Sequence, residues 1–139
     1  MSEAENLFGE EHVQRYRDTG GEIGHRWKRG SKILLLTTKG RKTGEPRTTP
    51  LIYEEDGDRY VIVASQGGAP EHPGWYRNLA KSPEVGVQIK GERFRARARD
   101  ARGEERERLW RAMNEIWPHY DEYQTKTDRE IPVVVLERI

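Results

Sequence analysis

Three segments of this chain combine residue types that can do chemistry. The first is Thr37 to Arg47, TTKGRKTGEPR. Lys39, Arg41, Lys42 and Arg47 crowd a turn that contains Gly40 and Gly44. Glycines let backbone N–H groups approach an anion, and an arginine offers a planar fork that matches phosphate oxygens. The GxxxxGK[ST] spacing of a nucleotide loop is absent, so the turn reads either as a phosphate cradle of another kind or as a solvated connector between strands. The second is Ala64 to Leu79, ASQGGAPEHPGWYRNL. Small and polar residues precede a proline-started helix, which makes a ligand-facing rim in which Ser65, Trp75 and Asn78 supply a hydroxyl, a stacking surface and an amide. Trp75 reads equally well as core. The third is Trp117 to Tyr123, WPHYDEY, with aromatics at positions 117, 120 and 123. Phenols there could line a pocket and donate protons, or simply pack as an aromatic edge.

Other chemistries find little support. The chain has no cysteine, which removes disulfides, thiolate nucleophiles and Cys-ligated metals and fits the cytoplasm. The histidines at 12, 25, 72 and 119 form no HxxxH or HExxH pair, so no metal is expected. No GxSxG appears. With 25 basic and 24 acidic residues the net charge is +1, which gives no bulk attraction to nucleic acid. The arginines at 93, 95, 97 and 99 lie close to Glu92, Asp100 and Glu104–Glu107, without an aromatic RNA-binding motif, so nucleic acid is not an expected partner. No apolar run is long enough to span a membrane.

These segments need a scaffold. At 139 residues one domain is expected, with residues 1–9 flexible. Glu10 to Thr19 reads as a helix with His12, Val13 and Tyr16 on one face, ended by Gly20-Gly21. That apolar face either packs on the domain or makes peripheral contact with the inner face of a membrane. Lys32 to Thr38 reads as a strand buried on both faces. Arg47–Glu54 and Arg59–Ser65 form a hairpin around Asp56-Gly57. A helix from Pro73 to about Lys81 follows, then strands at Val85–Ile89 and Arg93–Asp100, a helix at Glu104–Trp117, and a strand at Ile131–Arg138. Six strands joined by glycine turns favour a small, mainly antiparallel barrel with three to four flanking helices, an α+β domain.

Four stretches together resemble the deazaflavin-dependent nitroreductase family of actinobacteria: TGGEIGHRW (19–27), TTKGRKTGEPRTTPL (37–51), VIVASQGGAPEHPGWYRNL (61–79) and WPHYDEYQTKTDREIPVVVLE (117–137). The resemblance runs from about Glu11 to Ile139. It implies a split β-barrel spanning residues 1–139 that binds coenzyme F420, a deazaflavin with a phosphodiester and an acidic tail. It further implies hydride transfer from the reduced cofactor to a quinone-like or other conjugated acceptor, nitroaromatics included. By the resemblance, Arg41, Lys42, Thr43 and Arg47 lie at the phosphate and tail, and Pro50, Ser65, Ala69, Trp75 and Asn78 around the rest of the cofactor. Ile52, Trp117, Tyr120 and Tyr123 then form the acceptor side, with Tyr120, Tyr123 or Ser65 as the proton donor. Some nitro-reducing members have tyrosine at the positions of Ile52 and Trp117, so quinones are expected to be the better acceptors. Gln66 replaces a basic residue of some members, which implies a looser tail site. A cofactor- or lipid-binding protein of the same fold and an FMN enzyme are the competing readings. Oligomeric state is left open by the sequence.

Overall fold

The structure, a computed structural model, describes Leu7 and residues 9–139; the expected flexibility of residues 1–9 therefore falls, apart from Leu7 and Gly9, outside the described residues. The elements are α1 (Gly9–Thr19), β1 (Lys32–Lys39), β2 (Pro46–Asp56), β3 (Arg59–Val63), α2 (Gly74–Lys81), β4 (Glu84–Ile89), β5 (Glu92–Asp100), α3 (Gly103–Ile116), α4 (His119–Thr125) and β6 (Val133–Arg138). The strands close into a barrel in the order β1-β2-β3-β6-β5-β4, and every neighbouring pair is antiparallel. Closure gives each strand two neighbours along at least part of its length.

Strand alternation divides the apolar residues into layers. Leu34 and Leu36 of β1 and Val134 and Leu136 of β6 point into the barrel, joined by Ile62, Val85, Val87, Ala96 and Ala98. The intervening residues Ile33 and Leu35 point outward and are covered by Val13 and Tyr16 of α1. Val133 and Val135 likewise point outward, beneath Leu109 and Met113 of α3 and Tyr120 of α4. This double coverage explains why β1 and β6 read as unbroken apolar runs. It also settles the packing of the α1 apolar face: His12, Val13 and Tyr16 are buried against the domain. On β5 the inward residues are Phe94, Ala96 and Ala98. Its outward arginines Arg95, Arg97 and Arg99 sit in ion pairs with Glu84, Glu105 and Glu137.

Most element bounds differ from expectation by one or two residues, β3 for example ending at Val63 rather than Ser65, and three of the shifts involve a proline. The Pro73 helix begins at Gly74, with Pro73 at its cap. Trp117 lies outside α3 as its extended C-terminal cap, because Pro118 disfavours helical backbone in the residue before it. The final strand starts at Val133, after Pro132.

The feature that matters for function is where pairing stops. β2 and β3 pair only from Glu54↔Val61 to Asp56↔Arg59, around the Gly57 turn. Continuing that register would set Ile52 opposite Val63, but these residues do not pair. β2 stays on β1 through Lys39↔Pro46, while β3 stays on β6 through Val63↔Val133. The two strands therefore diverge, and a cleft opens between them.

Candidate active site

The cleft has two lobes that share Thr49, Leu51, Val63 and Ser65 as a common floor. One lobe, of about 630 Å³, is bounded by Arg41, Arg47, Gln66, Pro73, Gly74, Trp75 and Asn78. The other, of about 330 Å³, is bounded by Pro50, Ile52, Gly67, Trp117, Tyr120 and Tyr123, and by Leu7, Gly9, His12, Trp27 and Ile33. A basic end and an aromatic end thus meet over one floor.

The basic end is built by the β1–β2 turn and α2. Asn78 is buried, and its amide oxygen accepts from the Arg41 backbone N–H (3.2 Å) and from Arg41 Nη1 (2.9 Å). Its Nδ2 donates to Thr38 Oγ1 at 3.1 Å. Asn78 therefore fixes the turn and its guanidinium at once. Lys81 Nζ adds a hydrogen bond to the Arg41 carbonyl at 3.1 Å. Among the described residues, neither Arg41, Lys42, Arg47 nor Lys81 has a carboxylate partner. Gly40 is required here, since a Cβ would fall 2.9 Å from the Glu45 carbonyl across the turn. Lys42 and Thr43 are exposed and lie outside the cleft wall, where the Thr43 hydroxyl accepts from Glu45 N at 3.2 Å. Trp75 serves both readings: it packs in the barrel core and borders the cleft.

The aromatic end is built by α4 and the chain before it. Trp117 stacks on Trp27, with ring centroids 5.7 Å apart and planes within 19°. Trp117 Nε1 donates to the Tyr123 hydroxyl at 3.4 Å. The Tyr120 hydroxyl has no partner among the described residues, although the side chain is only 4% exposed. Burial pushes its pKa well above the ordinary phenol value, so it stays protonated. His12 is buried beside these rings and bonds the Gly24 carbonyl at 2.8 Å, which places its proton on Nε2.

Ser65 lies on the floor, and Ala69 does not border the cleft. The Gly-rich loop carrying both is held from behind by Arg129, whose guanidinium donates to the carbonyls of Ala64, Ser65 and Ala69. Gly68 sits so close to α4 that a Cβ would fall 2.6 Å from the Tyr123 carbonyl. Sequence reading missed Leu7, His12, Trp27, Lys81 and Arg129. Trp27 had a signal, an aromatic in a resembling stretch; Arg129 lies in another such stretch (117–137) but reads there as one more charge in a polar segment. No group of three His, Asp or Glu residues suited to a metal occurs among the described residues.

The model of the F420H(2)-dependent quinone reductase family matches residues 8–138. The chain belongs to this family. An F420H(2)-dependent quinone reductase of Mycobacterium tuberculosis is 47% identical over 130 residues, covering 91% of this chain and 87% of the relative. Among solved structures, an F420-H2 dependent reductase, FDR-A, is 47% identical with a TM-score of 0.70, over 76% of this chain and 93% of that one. A second, described as a domain-swapped dimer, is 41% identical with a TM-score of 0.73, over 91% of this chain and 95% of that one. The same barrel recurs at 17% identity in a haem storage protein of Vibrio cholerae, HutZ, with a TM-score of 0.62, which speaks to the fold alone.

Proposed function

We propose that this protein uses reduced coenzyme F420 to transfer a hydride to a quinone, with the cofactor tail at the basic end of the cleft and the acceptor at the aromatic end. The observation that carries this reading is the shared floor: the same four residues line a lobe whose cations have no carboxylate partner among the described residues and a lobe walled by Trp117, Tyr120, Tyr123 and Ile52. A phosphodiester and carboxylate tail fits the first part, because Arg41 and Arg47 can give it charge-assisted hydrogen bonds. A flat conjugated ring fits the second.

Bound F420H2 supplies the hydride, two electrons with one proton, from its deazaflavin ring. The chain contributes position and protons. Thr49, Leu51, Val63 and Ser65 would set the ring between the two lobes, and the stacked Trp27–Trp117 pair would bound the acceptor on its far side. Apolar walls keep water from the contact between them. The acceptor gains charge and then needs a proton. Tyr120, protonated and without a partner among the described residues, is the best-placed donor. Tyr123 and Ser65 are the alternatives, and Tyr123 already accepts from Trp117.

The deciding experiment is a side-by-side titration with F420 and FMN, followed by oxidation of F420H2 with menadione and with a bicyclic nitroimidazole. Tighter binding of F420 and faster turnover of menadione are expected, because Ile52 and Trp117 present no phenol to the acceptor. Stronger FMN binding would overturn the cofactor assignment. Cofactor binding without turnover of either acceptor would favour a carrier.

A further inference from the structure

The proposed reaction builds negative charge on an acceptor oxygen, and the groups described so far that could meet it are side-chain hydroxyls, those of Tyr120, Tyr123 and Ser65. The backbone at Ser65–Gly67 offers more. Ser65 has right-handed helical torsions (φ −79°, ψ −40°), whereas Gln66 (φ 45°) and Gly67 (φ 63°, ψ 17°) are left-handed. A right-handed residue followed by a left-handed one turns successive N–H groups toward one point, a concavity suited to an anionic oxygen. The N–H groups of Ser65, Gln66 and Gly67 have no acceptor among the described residues. All three residues border the cleft: Ser65 both lobes, Gln66 the basic one and Gly67 the aromatic one.

Positive φ at a non-glycine residue is unfavourable, so something must hold Gln66 there. Arg129 does. Its Nη1 donates to the Ala64 carbonyl (3.1 Å), Nη2 to the Ser65 carbonyl (2.7 Å) and Nε to the Ala69 carbonyl (2.9 Å). Nη1 also reaches His72 Nδ1 at 3.1 Å. No carboxylate pairs with this guanidinium among the described residues. The Ala64 and Ser65 carbonyls belong to the peptide units whose N–H groups are those of Ser65 and Gln66. In a trans peptide the N–H points opposite the C=O, so the cation sits behind both groups. A cationic hydrogen bond on the carbonyl polarises the unit and strengthens its N–H as a donor.

We infer that Arg129 is a positioning residue of the reaction: it shapes the Ser65–Gly67 backbone into a cup for the quinone oxygen that becomes a phenolate. The inference rests on the proposed hydride transfer to a quinone. The hydride brings two electrons to the quinone, whose oxygen takes the negative charge as a hydroquinone monoanion. One proton then completes the hydroquinone, and the cofactor is left oxidised. The cup stabilises the monoanion before that proton arrives.

The test uses the whole chain and a probe that needs no cofactor, para-nitrophenol, whose ionised form is read by absorbance. The wild type should bind the phenolate at least about tenfold more tightly than the phenol, and Arg129→Gln should lose that preference. Arg129→Lys keeps the charge but cannot reach three carbonyls, and it should retain less than half of the preference on a logarithmic scale. With F420H2 and a series of substituted quinones, turnover of either variant should fall by up to about 10²-fold, most for the quinones that give the most basic phenolates. KM for F420H2 should stay near the wild-type value. An equal loss across the series, or an unchanged phenolate preference in both variants, would overturn the inference, as would a wild type without any preference. Phenolate preference in a wild type that fails to oxidise F420H2 would instead keep the cup and remove the proposed function.

Discussion

Replacing Arg41 by Ala should weaken F420 binding by about 10- to 150-fold. The figure follows from one lost charge-assisted hydrogen bond of roughly 1.5–3 kcal/mol, at about 1.4 kcal/mol per factor of ten. The structure adds a sharper test. Asn78 holds Arg41 by two hydrogen bonds to one amide oxygen, at 2.9 and 3.2 Å, while its nitrogen is engaged with Thr38. If Asn78 acts through Arg41, Asn78→Ala should cost about tenfold or less, because the charge remains but its position is lost. The double variant should then bind no more weakly than Arg41→Ala alone. The two effects would be coupled rather than additive, as expected for residues in contact. Fluorescence titration of F420 against the four proteins gives the cycle, and repeating it at higher salt should narrow the gap between wild type and Arg41→Ala. Thermal midpoints should be recorded in parallel, since Asn78→Ala leaves buried partners without a hydrogen bond. Strict additivity would mean that Asn78 touches the cofactor itself. Wild-type affinity in Arg41→Ala would reduce the basic turn to a connector and sink the tail assignment.

Three further outcomes are expected. Tyr120→Phe should lower quinone turnover by about 10²-fold with cofactor affinity unchanged, and Tyr123→Phe should cost less because its hydroxyl is engaged by Trp117; normal turnover in the double variant would pass proton donation to Ser65 or solvent. Arg47→Ala should weaken F420 binding more than Lys42→Ala, since only Arg47 borders the cleft, and equal losses would refute that placement. His25 should make the fold acid-sensitive. Burial first, and then Lys90, Arg26 and Lys32, hold its pKa down at about 4, and its Nε2 lies 3.0 Å from the Tyr53 hydroxyl. A depressed folded-state pKa gives stability that is complete above the unfolded value of ~6.5 and is lost as pH falls toward 4, by about 3 kcal/mol at most. Urea unfolding of wild type and His25→Gln at pH 7 and pH 4.5 should show a smaller acid loss in the variant; parallel losses would exclude His25 as the cause.

The sequence by itself determined the elements and their faces. KILLLTT read as a strand covered on both sides, and the alternation of arginine with Phe94, Ala96 and Ala98 assigned the inner face of β5. Asp56-Gly57 placed the β2–β3 hairpin to within one residue, the turn itself being Gly57-Asp58, because a turn needs its residues in a local conformation that few residue types accept. The resemblance named most of the cleft wall, including Arg41, Arg47, Ser65, Trp75 and Trp117, although Lys42, Thr43 and Ala69 fall outside it. What only the tertiary structure decided is where the barrel parts. Nothing in β2 or β3 alone says that pairing ends at Glu54 and Val61; each strand is held by its other neighbour, and the gap is the difference between those two registers. The role of Arg129 was equally invisible. Its carbonyl partners lie 60 to 65 positions away, and guanidinium recognition of backbone oxygens leaves no trace in the identity of the residues that supply them. Side-chain patterns report on faces and local turns, whereas contacts made to the main chain across the fold are written in geometry alone.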